Sequence, residues 1–367
     1  MIFFIPILLY YILLIFAAIK FQYYNDSIQL ISAHNVSVSV LIPFKDEENN
    51  IKNIINNLKT QSYNNNLLQY ILINDNSTDN SFKIAKNEIK DDNRFEIIEL
   101  SNNFGKKQAL SKGLELAKHE IIIHTDADVL LNKEWITTIV NFYLKYNFKL
   151  ALAPVLYKTE KTILEKLQSL EIINLAGLTG GSLLLGIPLM ANGANLIYHK
   201  SIKHLFIDSI NNKSSGDDIF FLEKVIEKYP EEIKYIKHKE AIVYTYPEET
   251  LNLLINQRLR WAGKSVKFSN KTILITGIII IIINIIVLLG FILTFFMNNI
   301  IKPYLLFLSF KFITELFTLY IYCNYFNKKS LLYLVPILFI FYPIYTLLIG
   351  IGSIFIKPKW KDRIIKN

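Results

Sequence analysis

Long uncharged apolar stretches flank a segment of mixed polarity in this chain. Residues 1–19, 272–301 and 330–356 contain no charged side chain. Each stretch is long enough to cross a hydrocarbon core as a helix, which takes roughly 17–25 residues. Hydrophobic residues make up 52% of the chain, and this excess is concentrated in those stretches. The pattern therefore excludes a purely soluble protein and predicts one α/β domain between membrane segments.

The mixed segment alternates between strand and helix periodicity from about residue 36. Residues 36–43 begin with alternating valine and serine, which predicts a strand, and apolar side chains at 51, 54, 55 and 58 predict a helix over 49–59. The same patterns predict further strands over 70–73, 95–100 and 120–124, and helices near 79–89 and over 105–118. Such alternation with short connections indicates an α/β fold with a doubly wound, mostly parallel sheet.

The amino-terminal apolar stretch favours an uncleaved anchor over a signal peptide. Its start carries no basic residue, and it has no clear small-residue cleavage pattern. Lys20 follows it, which fits a cytoplasmic position for the domain that comes next. We therefore expect an anchor over residues 1–20, a cytoplasmic domain over 36–265, a membrane region of two or three helices over 272–356 and a basic tail over 357–367.

Residues 303–326 have two interpretations. Lys311 and Glu315 interrupt an otherwise apolar segment, and because they lie four positions apart they share a helix face and can pair. The segment is either a third carboxyl-terminal span or an interfacial, protein-packed helix. Three spans after a cytoplasmic domain would put the basic tail outside, whereas basic residues prefer the inside. The sequence leaves both possibilities open.

Residues 163–185 are largely apolar and have glycines at 177, 180 and 181. We expect either an interfacial helix near an acceptor or a core helix followed by a loop, with a break at residues 177–181.

The net charge and the cysteine content limit which binding partners and which kinds of site the chain can have. The net charge is +9, which a membrane surface or a phosphate-bearing substrate explains at least as well as nucleic acid does, so no nucleic-acid partner is predicted. Cys323 is the single cysteine, which excludes a disulfide framework or a cysteine-based zinc site.

Two carboxylates follow the predicted strand at 120–124. Asp126 and Asp128 can point into one pocket if the chain turns there, and carboxylate oxygens suit Mg²⁺ or Mn²⁺ bridging a diphosphate. The alternative is ordinary turn capping by aspartate. The position after a buried strand favours a ligand site, because doubly wound sheets bind ligands at the carboxyl ends of their strands.

Two further polar segments lie at predicted strand ends or helix starts. Asp75 belongs to a polar turn that either caps the next helix or contacts a base or ribose. Lys106 and Lys107 open a helix, whose amino terminus attracts anions, although a solvated basic turn is the alternative.

An acidic pair precedes another apolar helix. Asp217 and Asp218 are either helix caps or include a general base, which must be ionised at neutral pH.

Gln257, Arg258, Arg260 and Trp261 lie just before the second membrane stretch. Gln257 and Arg260 share a helix face, and the forked guanidinium of arginine suits a diphosphate. The alternative is a cytoplasmic basic cluster with an interfacial aromatic residue.

These motifs, in this order, resemble the membrane-bound family-2 inverting glycosyltransferases, whose catalytic domain has the GT-A fold. The resemblance covers residues 36–265, and it rests on the ordered set that also includes Ile42–Glu48 (IPFKDEE) and Asn192–Asn195 (NGAN). The family includes cellulose, chitin, hyaluronan and poly-N-acetylglucosamine synthases, and ceramide glucosyltransferases look similar.

The resemblance implies a role for each motif. Asp75 would contact the uracil beside the backbone of Pro43 and Phe44 and the side chain of Glu47. Lys106 would hold the nucleotide. Asp126 and Asp128, mainly Asp128, would bind the donor diphosphate and the metal. This sequence departs from the family pattern at two positions, with Asp46 where Asn is common and Asn74 where Asp is common.

The resemblance also assigns the acceptor side. Asp218 would be the general base and Asp217 its acidic neighbour. Gln257, Arg258 and Arg260 would close over the diphosphate, and Trp261 would form the floor of the acceptor site.

The implied reaction is transfer from a UDP-sugar to a glycan or lipid acceptor with inversion, at a cell membrane crossed more than once. A polysaccharide synthase and a transferase that adds one sugar to a lipid both stay open. A non-catalytic nucleotide-sugar-binding protein is a further alternative, which the presence of every required carboxylate disfavours.

Overall fold

A computed structural model of the chain describes residues 5–26, 28, 35–101, 105–210, 217–263, 269–356, 359–360 and 363–364. The chain divides into two compact units. The sheet unit comprises Asn25–Lys158 and Met190–Tyr246, and the helical unit comprises Met1–Tyr24, Thr159–Leu189 and Pro247–Asn367. Each unit is described by itself below.

The described residues of the sheet unit form nine strands. They are β1 (Val38–Phe44), β2 (Leu68–Asn74), β3 (Phe95–Glu99), β4 (Ile121–His124), β5 (Leu150–Leu152), β6 (Val155–Tyr157), β7 (Leu196–His199), β8 (Ile233–Tyr235) and β9 (Val243–Thr245). Seven of them form one sheet in the order β3-β2-β1-β4-β7-β5-β8, and β6 pairs with β9. Only β7 runs antiparallel to its neighbours in the large sheet. The predicted α/β fold with a mostly parallel sheet is therefore confirmed.

The described part of the sheet unit has six α-helices, which are numbered here along the whole chain. They are α2 (Ile51–Lys59), α3 (Ser81–Glu88), α4 (Lys106–Leu116), α5 (Trp135–Tyr146), α7 (Lys203–Ile210) and α8 (Asp217–Lys228). Every residue of β1 and β2 is buried, as expected for strands covered by helices on both faces. The predicted apolar face of α2 is confirmed, because Ile51, Ile54, Ile55 and Leu58 are all buried.

The helical unit contains the remaining helices and a short hairpin. They are α1 (Ile5–Tyr23), α6 (Ile163–Leu184), α9 (Leu251–Ala262), α10 (Lys271–Leu293), α11 (Ile301–Tyr325), α12 (Val335–Phe355), β10 (Lys359–Trp360) and β11 (Arg363–Ile364). Four segments in the described part of the chain are long and apolar enough to cross a membrane, namely Ile5–Tyr23, Lys271–Leu293, Asn298–Tyr325 and Lys329–Phe355. The predicted pairing within α11 is confirmed, with Lys311 Nζ 2.6 Å from Glu315 Oε1.

Helix α6 corrects one prediction. The break expected at residues 177–181 is wrong, because α6 continues without interruption to Leu184. A Cβ atom on Gly177 would lie 2.2 Å from the ring of Tyr322, and one on Gly181 would lie 2.4 Å from the carbonyl oxygen of Ala17. The glycines therefore allow α11 and α1 to approach α6 closely, a role that small residues commonly have between membrane helices.

Replacing Gly177 by alanine should destabilise the helical unit. The added methyl group overlaps the Tyr322 ring, and overpacking of this kind costs about 1–3 kcal/mol. Gly277 in α10 has no atom within 4 Å of its hypothetical Cβ, so Gly277→Ala is the matched control. Thermal unfolding in detergent measures the difference, and equal melting temperatures for the two variants would contradict the proposed close packing.

Candidate functional site

The loops that follow β1 and β2 are joined by side chain to backbone hydrogen bonds. Asp46 donates its backbone N–H to Ser77 Oγ at 3.0 Å, and its Oδ1 accepts the N–H of Thr78 at 2.7 Å. Asp46 has a φ of 51°, a left-handed conformation that Asp and Asn tolerate better than most residues. The departure from the family pattern at Asp46 is therefore compatible with the backbone of this loop.

Asn74, the second departure, has a structural role in the same turn. Its side chain is buried, and its Oδ1 accepts hydrogen bonds from the backbone N–H and the hydroxyl of Ser77 at 3.1 and 2.6 Å. Its Nδ2 donates to Glu99 Oε1 at 3.2 Å. Asn74 thus shapes the end of β2, and this use depends on an amide that can both donate and accept.

Asp75 connects the ends of β1 and β2 to the start of α4. Its backbone N–H donates to the carbonyl oxygen of Phe44 at 2.9 Å, which places Asp75 beside the backbone predicted to accompany it. Both of its carboxylate oxygens lie 3.1 Å from the N–H of Gly105. Gly105 precedes α4 with a φ of 97°, a conformation that favours glycine. The buried Asp75 therefore sets where α4 begins, and its contact with a base stays a prediction.

Lys106, the first residue of α4, forms an ion pair with Asp126. Both side chains are half-buried, so the pair is partly accessible to a ligand. Its neighbour Lys107 is buried, with Nζ 5.6 Å from the centre of the Phe220 ring. The structure therefore brings Lys106, and not Lys107, to the predicted diphosphate site.

Asp128 lies in a cluster of negative charge. Burial, followed by the nearby carboxylates of Asp126 and Glu47, raises the pKa of its carboxyl to about 7. Carboxylates held close together repel one another, and a divalent cation between them would remove that repulsion. The described residues contain no group of three or more His, Cys, Asp or Glu side chains that could hold a metal ion. Asp126 and Asp128 fit Mg²⁺ or Mn²⁺ only if the diphosphate and water complete the coordination.

His124, directly before this cluster, is a packing residue. Its Nε2 lies 2.8 Å from the hydroxyl of Tyr198, and its ring packs against Phe206. Burial lowers the pKa of His124 to about 3, so the imidazole is neutral at physiological pH.

Asp218 lies at the start of α8, where backbone amides orient its carboxylate. Its Oδ1 accepts the N–H of Ile219 at 2.9 Å, and its Oδ2 accepts the N–H of Gly193 at 3.3 Å. Asp217 begins α8, but its side chain lies outside the described residues.

The register of the sheet brings Asp218 to the edge that carries Asp126 and Asp128. Because β7 is antiparallel to β4 and Leu196 pairs with His124, the loop before β7 lies beyond the carboxyl end of β4. Thr125 Oγ1 donates to the carbonyl oxygen of Ala194 in that loop at 2.9 Å. Gly193, which holds Asp218, belongs to the same loop. The sheet unit therefore gathers Asp75, Lys106, Asp126, Asp128 and Asp218 at one edge.

The remaining predicted residues lie on α9 in the helical unit. Gln257 Nε2 donates to Glu248 Oε1 at 2.7 Å. Arg258 is buried, with Nη2 2.8 Å from Glu171 Oε2, and its guanidinium lies 4.2 Å from the centre of the Trp261 ring. Burial raises the pKa of Glu248. The positive charges of Arg260 and, to a smaller extent, Arg258 oppose this increase.

Sequence reasoning missed Glu171 and Glu248. Neither belongs to a motif, and Glu171 lies 87 positions from Arg258. That the residues on α9 and those of the sheet unit reach one diphosphate stays a prediction.

Comparisons with known proteins bear on the family and the fold. Residues 39–206 match the sequence model of the family described as Glycosyl transferase family 2. Residues 39–206, just under half of the chain, are thus similar to the family 2 glycosyltransferases. The poly-beta-1,6-N-acetyl-D-glucosamine synthase of Staphylococcus aureus strain MSSA476 is 24% identical over 235 residues, which are 61% of this chain and 53% of that protein. The enzyme of the same name from Staphylococcus epidermidis is 25% identical over 258 residues, covering 66% of this chain and 58% of that protein. The chain thus matches little more than half the length of these relatives.

A solved structure shares the fold along nearly the whole chain. The mannosyltransferase PcManGT from Pyrobaculum calidifontis, determined in complex with GDP-Man and Mn²⁺, has a TM-score of 0.58 and 12% sequence identity. The similarity covers 95% of this chain and 94% of that protein. At this identity the match establishes the fold alone.

Proposed function

We propose that this chain is a family 2 glycosyltransferase that is embedded in a membrane and inverts the anomeric centre. The enzyme transfers a sugar from a UDP-sugar donor to a glycan or lipid acceptor and forms a β-linkage. The observation that carries the proposal is the shared sheet edge, where Asp218 lies with the Asp126 and Asp128 pair. An acceptor-activating base and a diphosphate site must be neighbours for a direct displacement.

The donor half of the site binds the nucleotide diphosphate. Asp75 and Glu47 flank the position proposed for the uracil, and Lys106 lies beside the position proposed for the phosphates. Asp126 and Asp128 would hold Mg²⁺ or Mn²⁺, which supplies positive charge to the departing diphosphate. Gln257, Arg258 and Arg260 are proposed to complete the site from α9, with Asp217 as the acidic neighbour of the base.

Asp218 performs the proton transfer. Its carboxylate takes the proton of an acceptor hydroxyl, and that oxygen attacks the anomeric carbon of the donor sugar. The new carbon–oxygen bond forms as the bond to the diphosphate breaks, and the nucleoside diphosphate leaves with the electron pair. A single in-line displacement inverts the anomeric centre, so an α-linked donor gives a β-linked product.

The helical unit is proposed to place this chemistry at a cell membrane. Its four apolar helices satisfy the length of a membrane span, and Lys20 near the end of α1 favours a cytoplasmic catalytic domain. The lipid bilayer is thus a partner of the chain, and a lipid-linked acceptor or a growing glycan would meet the domain there.

Sizing of the product tests the proposal. Membranes that contain the chain are incubated with a panel of labelled UDP-sugars, and the products are separated by mass. A high-mass glycan supports a polysaccharide synthase, and a lipid that carries one sugar supports the single-addition enzyme. No transfer from any nucleotide sugar would contradict the enzymatic proposal and favour a non-catalytic binding protein.

Replacing Trp261 by alanine should reduce acceptor use more than donor binding. One face of the ring is covered by Arg258, and an aromatic contact with the acceptor sugar would be worth about 1.5 kcal/mol, or roughly tenfold in rate. Transfer at saturating UDP-sugar measures acceptor use, and calorimetry measures UDP affinity. Trp261→Phe keeps an aromatic face and serves as the control. If Trp261→Ala instead loses UDP binding at unchanged acceptor use, the assignment of the ring to the acceptor is wrong.

A further inference from the structure

Arg258 is held in place by protein side chains on several sides. It is buried, its Nε and Nη2 both donate to Glu171 Oε2, at 3.2 and 2.8 Å, and its Nη1 donates to Gln257 Oε1. The guanidinium also covers one face of the Trp261 ring. A buried cation is stable only when an anion compensates its charge, and Glu171 on α6 supplies that anion.

These contacts make Arg258 the centre of the motif on α9. Gln257 is held between Arg258 and Glu248, because Gln257 Nε2 donates to Glu248 Oε1 at 2.7 Å. Trp261 is held through its ring. The side chains that the proposed function assigns to diphosphate and acceptor therefore depend on where the guanidinium of Arg258 lies.

We propose that Glu171 is a positioning residue for sugar transfer, acting on Gln257 and Trp261 through Arg258. This inference rests on the proposed function of α9. Without the Glu171 carboxylate, Arg258 loses its fixed partner, and the amide of Gln257 and the ring of Trp261 lose the contacts that orient them. Small displacements of positioning groups can cost about 100-fold in rate, so the effect on transfer can be large although Glu171 touches no substrate.

A purely structural role for the pair predicts different results. An ion pair that only joins α6 to α9 would affect stability without moving Trp261 or changing turnover in the folded protein. Glu160 and Lys328 provide a matched comparison, because they form a 2.7 Å ion pair elsewhere in the helical unit. Glu160→Gln therefore removes a similar charge without touching the motif.

The experiment compares Glu171→Gln with Glu160→Gln in the full-length protein in detergent. The chain has three tryptophans. In a Trp360→Phe background only Trp261 and the buried Trp135 remain, so the change in fluorescence emission between variants of the motif is assigned to Trp261. We expect Glu171→Gln to shift the emission of Trp261 towards that of Arg258→Met and to lower kcat by about 10- to 100-fold. Glu160→Gln should leave the emission and kcat unchanged.

Glu171→Asp keeps the charge, and it should recover part of the activity if the carboxylate acts on Arg258. Wild-type emission and kcat in folded Glu171→Gln would overturn the positioning role. If Glu171→Gln does not fold, Glu171→Asp alone decides, and unchanged emission and kcat in it would overturn the role. If Glu171→Gln shifts the Trp261 emission but the wild-type protein transfers no sugar, the contact network is supported and the proposed function is rejected instead.

The directions of α1 and α11 in the helical unit bear on whether α12 crosses the membrane. In the helical unit α11 runs parallel to α1, because Phe21 packs against Tyr325 near their carboxyl ends and Tyr11 packs against Phe310 further back. The turn before α11 lies at the opposite end.

The carboxyl-terminal side of this bundle also holds α9. Helix α6 contacts Ala17, in the last third of α1, through Gly181, and the same helix carries Glu171, the partner of Arg258. A Cβ atom on Gly177 would meet the ring of Tyr322, which packs on Phe21, so α6 runs antiparallel to α1 and Glu171 lies towards the carboxyl end of α1. Helix α9, held there through Arg258, is therefore attached to the end of the bundle where α1 ends.

Helix α12 starts beside the middle of α11 and ends beside α9. The ring of Phe339 lies 5.1 Å from that of Phe312 and 4.4 Å from Nζ of Lys311, near the centre of the 25-residue α11. At the other end, a Cβ atom on Gly352 would lie 3.0 Å from a methyl group of Leu259. We infer that α12 is a re-entrant helix and that β10, which follows it, lies on the side of α9. This placement satisfies the preference of basic residues for the inside, although α12 is long enough to span.

Single-cysteine labelling tests the topology, because Cys323 is the only native cysteine and is buried. In a Cys323→Ala background, cysteines replace Asn298 before α11, Ser269 before α10 or Lys359 in the tail. A membrane-impermeant maleimide is applied to intact cells and to inverted vesicles. We expect Lys359→Cys and Ser269→Cys to react from one side and Asn298→Cys from the other. Reaction of Lys359→Cys from the side of Asn298→Cys would show that α12 crosses the membrane and overturn the inference.

Discussion

Replacing Asp218 by asparagine is expected to abolish sugar transfer while the protein still binds UDP. The amide keeps the shape of the side chain, and its one oxygen can still accept the N–H of Ile219 or that of Gly193. It cannot take a proton from the acceptor hydroxyl. Loss of a general base typically costs about 100- to 10,000-fold in rate. The transfer rate at saturating donor measures the loss, and calorimetry measures UDP binding.

Asp208→Asn is the matched control for Asp218. Asp208 is an exposed carboxylate on α7, a helix that packs against α8, so the control changes one charge in the same part of the sheet unit. Its transfer rate should equal that of the wild type. Full transfer by Asp218→Asn would remove Asp218 as the base and would direct attention to Asp217.

Replacing Asp128 by alanine should eliminate the metal-dependent part of UDP binding. Asp128 and Asp126 are the two carboxylates proposed to hold the cation, and removal of one leaves the cation with too few protein ligands. Mutation of a residue that only hydrogen-bonds to a metal ligand costs about 10–100-fold in metal affinity. For mutation of a ligand itself we therefore expect metal affinity to fall by more than about 100-fold. Calorimetric titration of UDP with and without Mn²⁺ measures the effect.

Two outcomes would bear on the assignment of Asp128. Glu115→Ala removes an exposed carboxylate from α4 and should leave UDP binding unchanged. Equal UDP affinity of Asp128→Ala and the wild type, in the presence and absence of Mn²⁺, would refute the metal site. A larger loss in Asp126→Ala than in Asp128→Ala would transfer the main ligand role to Asp126.

The structure of α6 differs in part from what its apolar sequence pattern predicts. Its composition predicts a buried or interfacial segment, and the glycines predict a break, because an isolated glycine lowers helix stability. The structure keeps the helix intact because the glycines lie where Tyr322 and Ala17 approach it. The partner surfaces that decide between a break and a close contact belong to other parts of the chain.

Asp75 illustrates the same limit within the site. Its position after a strand predicts a place at the carboxyl end of the sheet, and the register of β1 with β2 puts Asp75 there. The hydrogen bonds to Gly105, 30 positions away, depend on where α4 packs, which no local pattern reports.

The local sequence pattern was sufficient to predict the alternation of strands and helices, the apolar helices and the polar ends of the strands. Periodicity and turn chemistry act between residues that are near neighbours in the sequence. Tertiary structure alone decided that Gly193 holds Asp218, that Glu171 holds Arg258 and that α6 is continuous. Those contacts join residues distant in sequence, and their energies depend on burial and on charges that only the folded chain brings together.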